Sequence, residues 1–256
     1  MLNVVVNGED KGGVPLLIAH GLFGSARNWG VIARRLAEDR RVVTVDMRNH
    51  GESFRDPDNG YGALAGDLAE VIAAEGGQAD VLGHSMGGKA AMRLALEHPG
   101  AVRRLVVADI APVAYGHDRT NFVEAMLGLV LAGLTSRGEA DRRLAETLSG
   151  AALRAFLLQS LDLRGDGPRW KLNLDVLKDE MPRITGWEEV GGQFDGPTLF
   201  LSGAESDYVR PEHRERILAL FPKARFAKIP GAGHWLHAEK PREFEAAVAA
   251  FLGAGG

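Results

Sequence analysis

Short apolar runs recur along the chain at residues 4–6, 16–19, 42–45, 79–82, 105–108, 198–201 and 226–229. Several are continuous rather than alternating, the pattern of strands buried on both faces of a parallel sheet. Between them, apolar residues fall at helical spacing over 29–39, 64–75, 86–97, 211–221 and 241–252. Strand and helix patterns in alternation predict a doubly wound α/β sheet. Ligands of such sheets sit at the carboxyl ends of the strands.

The alternation stops between about Val113 and Phe194. That interval reads as helices over 117–132, 138–148, 151–161 and 174–186, with no strand, and Gly165, Asp166, Gly167 and Pro168 break it near its middle. An insertion here, between the strand closed by Asp109 and the strand beginning near Thr198, stands over the carboxyl edge of the sheet as a cap. A few extra packing helices are the plainer alternative. The expected organisation is a core of residues 1–113 and 195–256 with a helical cap at 114–194. The Gly-rich last four residues read as a frayed end.

Composition narrows the possible partners. A chain of 256 residues, 45% hydrophobic and 25% charged, is long enough for one large domain or a domain with an insertion. A net charge of −4 gives no electrostatic reason to expect nucleic acid or an anionic membrane. Cysteine is absent, which removes disulfides, thiolate catalysis and cysteine-ligated metals and fits a reducing compartment. No run approaches the ~20 apolar residues of a membrane span, and the N-terminus is interrupted too soon for a signal peptide. The expectation is a soluble cytoplasmic protein, monomer or weak homo-oligomer.

The chemistry concentrates at Gly83-His84-Ser85-Met86-Gly87-Gly88, between a predicted strand and a predicted helix. Gly-x-Ser-x-Gly in that context is a nucleophile elbow, in which small residues let strand and helix cross while the serine is held above the sheet. Ser85 is the candidate nucleophile and the Met86 N–H a candidate oxyanion donor. A serine hydroxyl needs a base. His234 follows the last strand after Pro230-Gly231-Ala232-Gly233, and the order Ser…His suits this class of hydrolase; His237 is the rival. His84 reads as a packing residue, and His50, His98, His117 and His213 as loop or surface residues. No metal-ligand spacing and no dinucleotide or phosphate fingerprint appears. The loop His20-Gly21-Leu22-Phe23-Gly24 is placed to supply a second oxyanion donor, from Leu22 or alternatively Phe23. Two aspartates at strand ends, Asp109 and Asp207, compete for the acid.

With these residues placed, the whole chain resembles the α/β-hydrolase superfamily, and more narrowly the YbfF-type serine esterases and their mitochondrial relatives. The matching stretches are HGLFGSARNW at 20–29, DMRNHGES at 46–53, GHSMGGKAAM at 83–92, VADIAPV at 107–113, WKLNLD at 170–175 and GAGHWLHAEKP at 231–241. The resemblance implies a mostly parallel sheet flanked by helices, a helical cap, and esterase activity toward small or acyl esters without metal or organic cofactor. The superfamily's usual acid pattern, Gly-x-x-Asp-x-x-Val, reads here Gly203-Ala204-Glu205-Ser206-Asp207-Tyr208-Val209, with Ser206 in the acid's place. In the resembled branch the acid stands at the preceding strand end, which is Asp109. In DMRNHGES, Asp46, Arg48 and His50 look like chemistry but read better as support for the floor of the site, through an Asp–Arg pair and tight glycine turns.

The resulting expectation is a serine carboxylesterase using Ser85, His234 and Asp109, with a small-molecule ester as its only partner. Phe23, His84, Phe122, Met126, Trp170 and Trp235, together with Leu127 and Phe156, are candidates for the substrate pocket. The cap residues among them fit a cap core equally well. The same triad could also serve carbon–carbon bond or thioester hydrolysis or cofactor-free perhydrolysis, and a non-catalytic receptor on the same fold is the remote alternative.

Overall fold

The computed structural model describes residues 1–116, 119–164 and 167–253. Its strands are β1 (Asn3–Asn7), β2 (Leu16–Ala19), β3 (Val42–Asp46), β4 (Ala79–His84), β5 (Val102–Ala108), β6 (Leu161–Asp162), β7 (Arg169–Trp170), β8 (Thr198–Gly203) and β9 (Ala224–Ile229). Seven of them form one sheet in the order β1-β3-β2-β4-β5-β8-β9, parallel throughout except for β1. The continuous apolar runs are the central strands: every residue of β2, β3, β4 and β8 is buried.

Helices α1 (Gly30–Leu36), α2 (Tyr61–Ala74) and α3 (Met86–Glu97) alternate with the first strands, and α4 (Thr120–Gly128), α5 (Arg137–Leu144), α6 (Ala151–Leu157), α7 (Leu174–Asp179) and α8 (Met181–Thr185) fill the long interval. The chain closes with α9 (Arg214–Leu220), α10 (Leu236–Glu239) and α11 (Pro241–Gly253). Because successive strand residues point to opposite faces, the sheet separates two cores. Leu16, Ile18, Leu82 and Val106 pack with Ile32 and Leu36 of α1 and Phe244 and Val248 of α11. Leu17, Ala19, Val81 and Val107 pack with Leu68 of α2 and Ala91 and Leu94 of α3.

The interval between β5 and β8 departs from the sequence expectation in three ways. It contains strands after all: β6 and β7 pair antiparallel, Leu161 opposite Trp170, so the helix expected over 151–161 stops at Leu157. The helix expected over 174–186 is two helices, because Pro182 opens α8 and has no N–H to continue a helix from α7. The first helix begins at Thr120; His117, Gly165, Asp166 and residues 254–256 lie outside the described residues.

Hydrogen bonds tie this interval to the rest of the chain. The Ser160 hydroxyl donates to the Phe23 carbonyl at 2.9 Å, the Asn173 N–H to the Asn49 carbonyl at 2.9 Å, and the Tyr61 hydroxyl to the Ile184 carbonyl at 2.6 Å. Among the described residues no helix is long and apolar enough to cross a membrane.

Candidate active site

β4 runs into α3 through Ser85, whose φ of 53° and ψ of −119° are strained for a residue with a side chain. Close backbone crossings hold it there. A Cβ on Gly83 would lie 2.2 Å from the Gly87 carbonyl oxygen, and one on Gly87 would lie 2.4 Å from that of Ala19. The elbow therefore needs glycine at both positions, as its sequence pattern implied.

The Ser85 Oγ stands 3.1 Å from Nε2 of His234, and the His234 Nδ1–H donates to Oδ2 of Asp109 at 2.8 Å. Asp109 is fully buried at the end of β5, with φ of 52°. Its carboxylate also accepts the Gly203 N–H at 3.1 Å and the Ser206 hydroxyl at 2.5 Å. Asp207 is exposed, and its backbone carbonyl accepts from Arg210 at 3.0 Å. His237 stacks on Trp29 at 4.4 Å between ring centres, with its Nδ1 buried and unpartnered. Desolvation pulls its pKa down to about 3. His84 Nε2–H donates to the His234 carbonyl at 2.9 Å and so holds the loop carrying that histidine.

The loop after β2 crosses beneath Ser85; a Cβ on Gly21 would meet Nδ1 of His84 at 2.9 Å. Phe23 has φ of 65°, and its N–H donates to Nε2 of His50 at 3.1 Å. That bond engages the Phe23 N–H, the alternative of the two candidate oxyanion donors in this loop. Nδ1 of His50 faces the Arg48 carbonyl at 2.8 Å, so the proton resides on Nδ1 and Nε2 is the acceptor. His20 does the same one step away: Nδ1–H to the Gly21 carbonyl at 2.8 Å, Nε2 accepting the Met47 N–H at 2.9 Å. His50, expected in a loop or at the surface, lies in a turn and is fully buried. The segment around Leu172, which bridges it, covers it. The Asp–Arg pair of this region is Arg48 with Asp67 of α2, bidentate at 2.6 and 2.8 Å, whereas Asp46 accepts the N–H groups of Ala26 and Glu52.

Above Ser85 lies a cavity of about 380 Å³, lined among others by Leu22, Phe23, His84, Phe122, Phe156 and Trp235. Met126, Leu127 and Trp170 do not line it, which corrects their assignment as pocket residues. Met126 lies one turn beyond Phe122 on α4, fully buried; Trp170 gives its indole N–H to the Met126 carbonyl at 3.0 Å, and Leu127 is exposed on the outer face. Met126 and Trp170 belong to the packing of the segment between β5 and β8, and Leu127 lies on its surface.

Residues 16–247 match the Alpha/beta hydrolase family. The chain belongs to that family. It is 42% identical over 240 residues to the esterase YbfF of Escherichia coli, covering 93% of this chain and 92% of that one. It is 41% identical over 246 residues to the mouse sn-1-specific diacylglycerol lipase ABHD11, covering 93% of this chain and 80% of the lipase. A solved marine microorganism esterase superposes with a TM-score of 0.93 at 36% identity, covering 98% of both chains. The resemblance to the YbfF-type branch and the α/β-hydrolase fold are thus borne out.

The α/β-hydrolase site also contains residues that sequence reasoning passed over. The Tyr208 ring stacks on the His234 imidazole at 3.9 Å and 17°, and the Arg119 guanidinium donates to the Tyr208 hydroxyl at 2.7 Å. Lys89 lines the cavity one turn along α3 from Ser85, with Tyr61 and Tyr115 nearby. Lys89 carried a signal, a lysine four positions after the elbow serine on the same helix face. Arg119, expected inside a helix over 117–132, directly precedes α4, and Tyr208 lies in an irregular segment; periodicity marks neither as a site residue.

Proposed function

We propose that this α/β hydrolase is a serine carboxylesterase for small or acyl esters. The observation that carries the reading is the line of hydrogen bonds Ser85–His234–Asp109 opening onto a largely apolar cavity. His234 takes the Ser85 proton as Oγ bonds to the ester carbonyl carbon, and Asp109 stabilises the imidazolium. The N–H groups of Leu22 and Met86 receive the oxyanion, the latter at the N-terminal end of α3, where the helix dipole favours negative charge. The imidazolium returns the proton to the alcohol as the acyl–oxygen bond breaks. Water, deprotonated by the same imidazole, then attacks the acyl-enzyme and releases the acid and free Ser85.

In this reading the segment at 114–194 is a cap that shapes the acyl pocket, no cofactor enters the reaction, and the enzyme acts as a monomer or weak homo-oligomer. A chain without cysteine suits the reducing cytoplasm. The test is labelling with a fluorophosphonate, mapping of the adduct, and a p-nitrophenyl ester assay. We expect one adduct, on Ser85, and a Ser85→Ala variant that stays folded and loses nearly all turnover. An adduct on another serine, or full activity in Ser85→Ala, overturns the reading.

A further inference from the structure

The cavity above Ser85 is lined by two cations, Lys89 and Arg119, and among its described lining residues there is no carboxylate. Elsewhere in the protein arginines meet acids: Arg41 with Glu75, Arg48 with Asp67, Arg103 with Asp80, Arg154 with Asp141. The cavity pair does not. Lys89, only 1% exposed, donates to the carbonyls of Thr185 and Gly186 at 2.9 and 2.5 Å, and its ammonium lies over the Tyr61 and Tyr115 rings. Arg119 donates to the Tyr208 hydroxyl and lies 5.3 Å from the centre of the Phe122 ring. Every one of these partners is neutral.

Removing cations from water without a counter-charge is costly. Burial accordingly pulls the Lys89 pKa down to about 7. Such a cost is offset when an anion enters. The two basic side chains in the lining contrast with the net charge of −4 carried by the whole chain; the nearby Asp109 carboxylate is buried behind His234, from which it accepts a hydrogen bond.

We propose that the cavity selects esters bearing a second, ionised acid, with half-esters of aliphatic dicarboxylic acids as the substrate class and Arg119 as the residue that reads the carboxylate. The inference rests on the serine-esterase reading above and narrows its substrate. Arginine suits the task because its planar fork matches a carboxylate with two parallel N–H bonds and cannot lose its charge. Its Tyr208 partner stacks on His234, which ties the anion site to the reacting end of the same cavity. Lys89 adds a second positive charge from α3. The reaction is the hydrolysis already written: the acyl–oxygen bond breaks, water supplies the hydroxyl, and a dicarboxylate and an alcohol leave.

The test compares ethyl hydrogen adipate with ethyl hexanoate, which lacks the charge, and with diethyl adipate, in which it is capped, by pH-stat on the intact protein. We expect the half-ester to exceed ethyl hexanoate in kcat/KM by about tenfold or more, the usual worth of one charged hydrogen bond. Arg119→Gln should lower that ratio about tenfold; the ratio cancels any general loss transmitted through Tyr208 and His234. Lys89→Met, checked by thermal melting, should lower it as well. A wild-type preference for hexanoate or diethyl adipate, or a ratio that survives both substitutions, overturns the proposal while a Ser85 adduct leaves the esterase reading standing. Loss of all ester turnover together with absence of a Ser85 adduct overturns both.

Discussion

Ser206 gives its hydroxyl proton to Oδ2 of Asp109 at 2.5 Å, the same oxygen that receives Nδ1–H of His234. Ser206 stands where the superfamily pattern usually places the acid, so the residue in the acid's place here serves a carboxylate from the neighbouring strand. The exchange is geometrically small. β5 and β8 are parallel neighbours with Ala108 opposite Leu201, and adjacent strands lie only ~4.8 Å apart. An orienting aspartate is worth up to ~10⁴ in kcat because its amide replacement holds the wrong imidazole tautomer. Asp109→Asn is therefore expected to lose on the order of 10⁴-fold in kcat, and exposed Asp207→Asn to stay within about tenfold, read from steady-state hydrolysis of p-nitrophenyl butyrate. The reverse ranking would falsify the assignment of the acid to Asp109.

Acyl-length preference should respond to the residues that line the cavity and not to those that pack the segment between β5 and β8. Phe156, whose ring lies 5.7 Å from that of Trp235, and Phe122 are the side chains to truncate. Each methylene accommodated in an apolar pocket is worth ~1–3 kcal/mol, so Phe156→Ala should shift the optimum of a graded p-nitrophenyl ester panel to longer chains. Trp170→Ala should leave the optimum in place and lower stability by about 3 kcal/mol or less, since the indole is only partly buried. A shifted optimum in Trp170→Ala, with none in Phe156→Ala, would return Trp170 to the pocket.

The central sheet and the elbow were legible because their causes are local. A strand covered on both faces is apolar at consecutive positions, as at Leu16 to Ala19, and Gly83 and Gly87 carry the crossing in their missing Cβ atoms. From position alone the acid was legible as a pair of candidates, and only the family resemblance favoured Asp109. Asp109 directly follows β5 and Asp207 lies four residues past β8, and the direction of each side chain depends on backbone torsions that no periodicity encodes. The hairpin Leu161–Asp162 with Arg169–Trp170 is two residues a side, too short for an alternating pattern. His50 was legible as support for the floor of the site, but its full burial was not. Its burial comes from a distant segment, bridged through Leu172, and not from apolar neighbours in sequence.

Buried histidines should make the protein acid-sensitive. Desolvation lowers the pKa of His20, His50, His84 and His237, the second and fourth to about 3. An unfolded histidine titrates near 6.5, so between that pH and the folded values the unfolded chain binds more protons. Stability then rises with pH, is fully present above about 6.5 and is lost as pH falls below it. The Tm is expected to drop steadily from pH 6.5 to pH 5, above the range where most carboxylates titrate. His237→Phe, which preserves an aromatic partner for Trp29, should make that slope shallower by about one proton. A Tm that does not change between pH 6.5 and 5 would contradict the burial of these rings as neutral groups.

His50 should matter to catalysis without touching substrate. Its Nε2 receives the Phe23 N–H at 3.1 Å, and Phe23 sits at φ of 65°, a conformation that needs an external hold. The same short loop presents the Leu22 N–H assigned to the oxyanion. Burial keeps the ring neutral, with its pKa at about 3, so Nε2 remains an acceptor at any working pH; a proton there would turn it against the Phe23 N–H. His50→Leu leaves that N–H unpaired in a dry site, a loss that strains the loop. Removing an oxyanion donor outright costs ~10²–10³ in kcat, which sets the upper limit for a donor merely misplaced. We expect His50→Leu to lower kcat by about 10–100-fold with KM changed much less, because the oxyanion exists only along the reaction path. His50→Gln, which can offer an amide oxygen to the same N–H, should recover part of the loss. The check is kcat and KM for p-nitrophenyl butyrate alongside melting curves of both variants. A folded His50→Leu enzyme with kcat within twofold of wild type would show that the loop keeps its donors aimed without this bond.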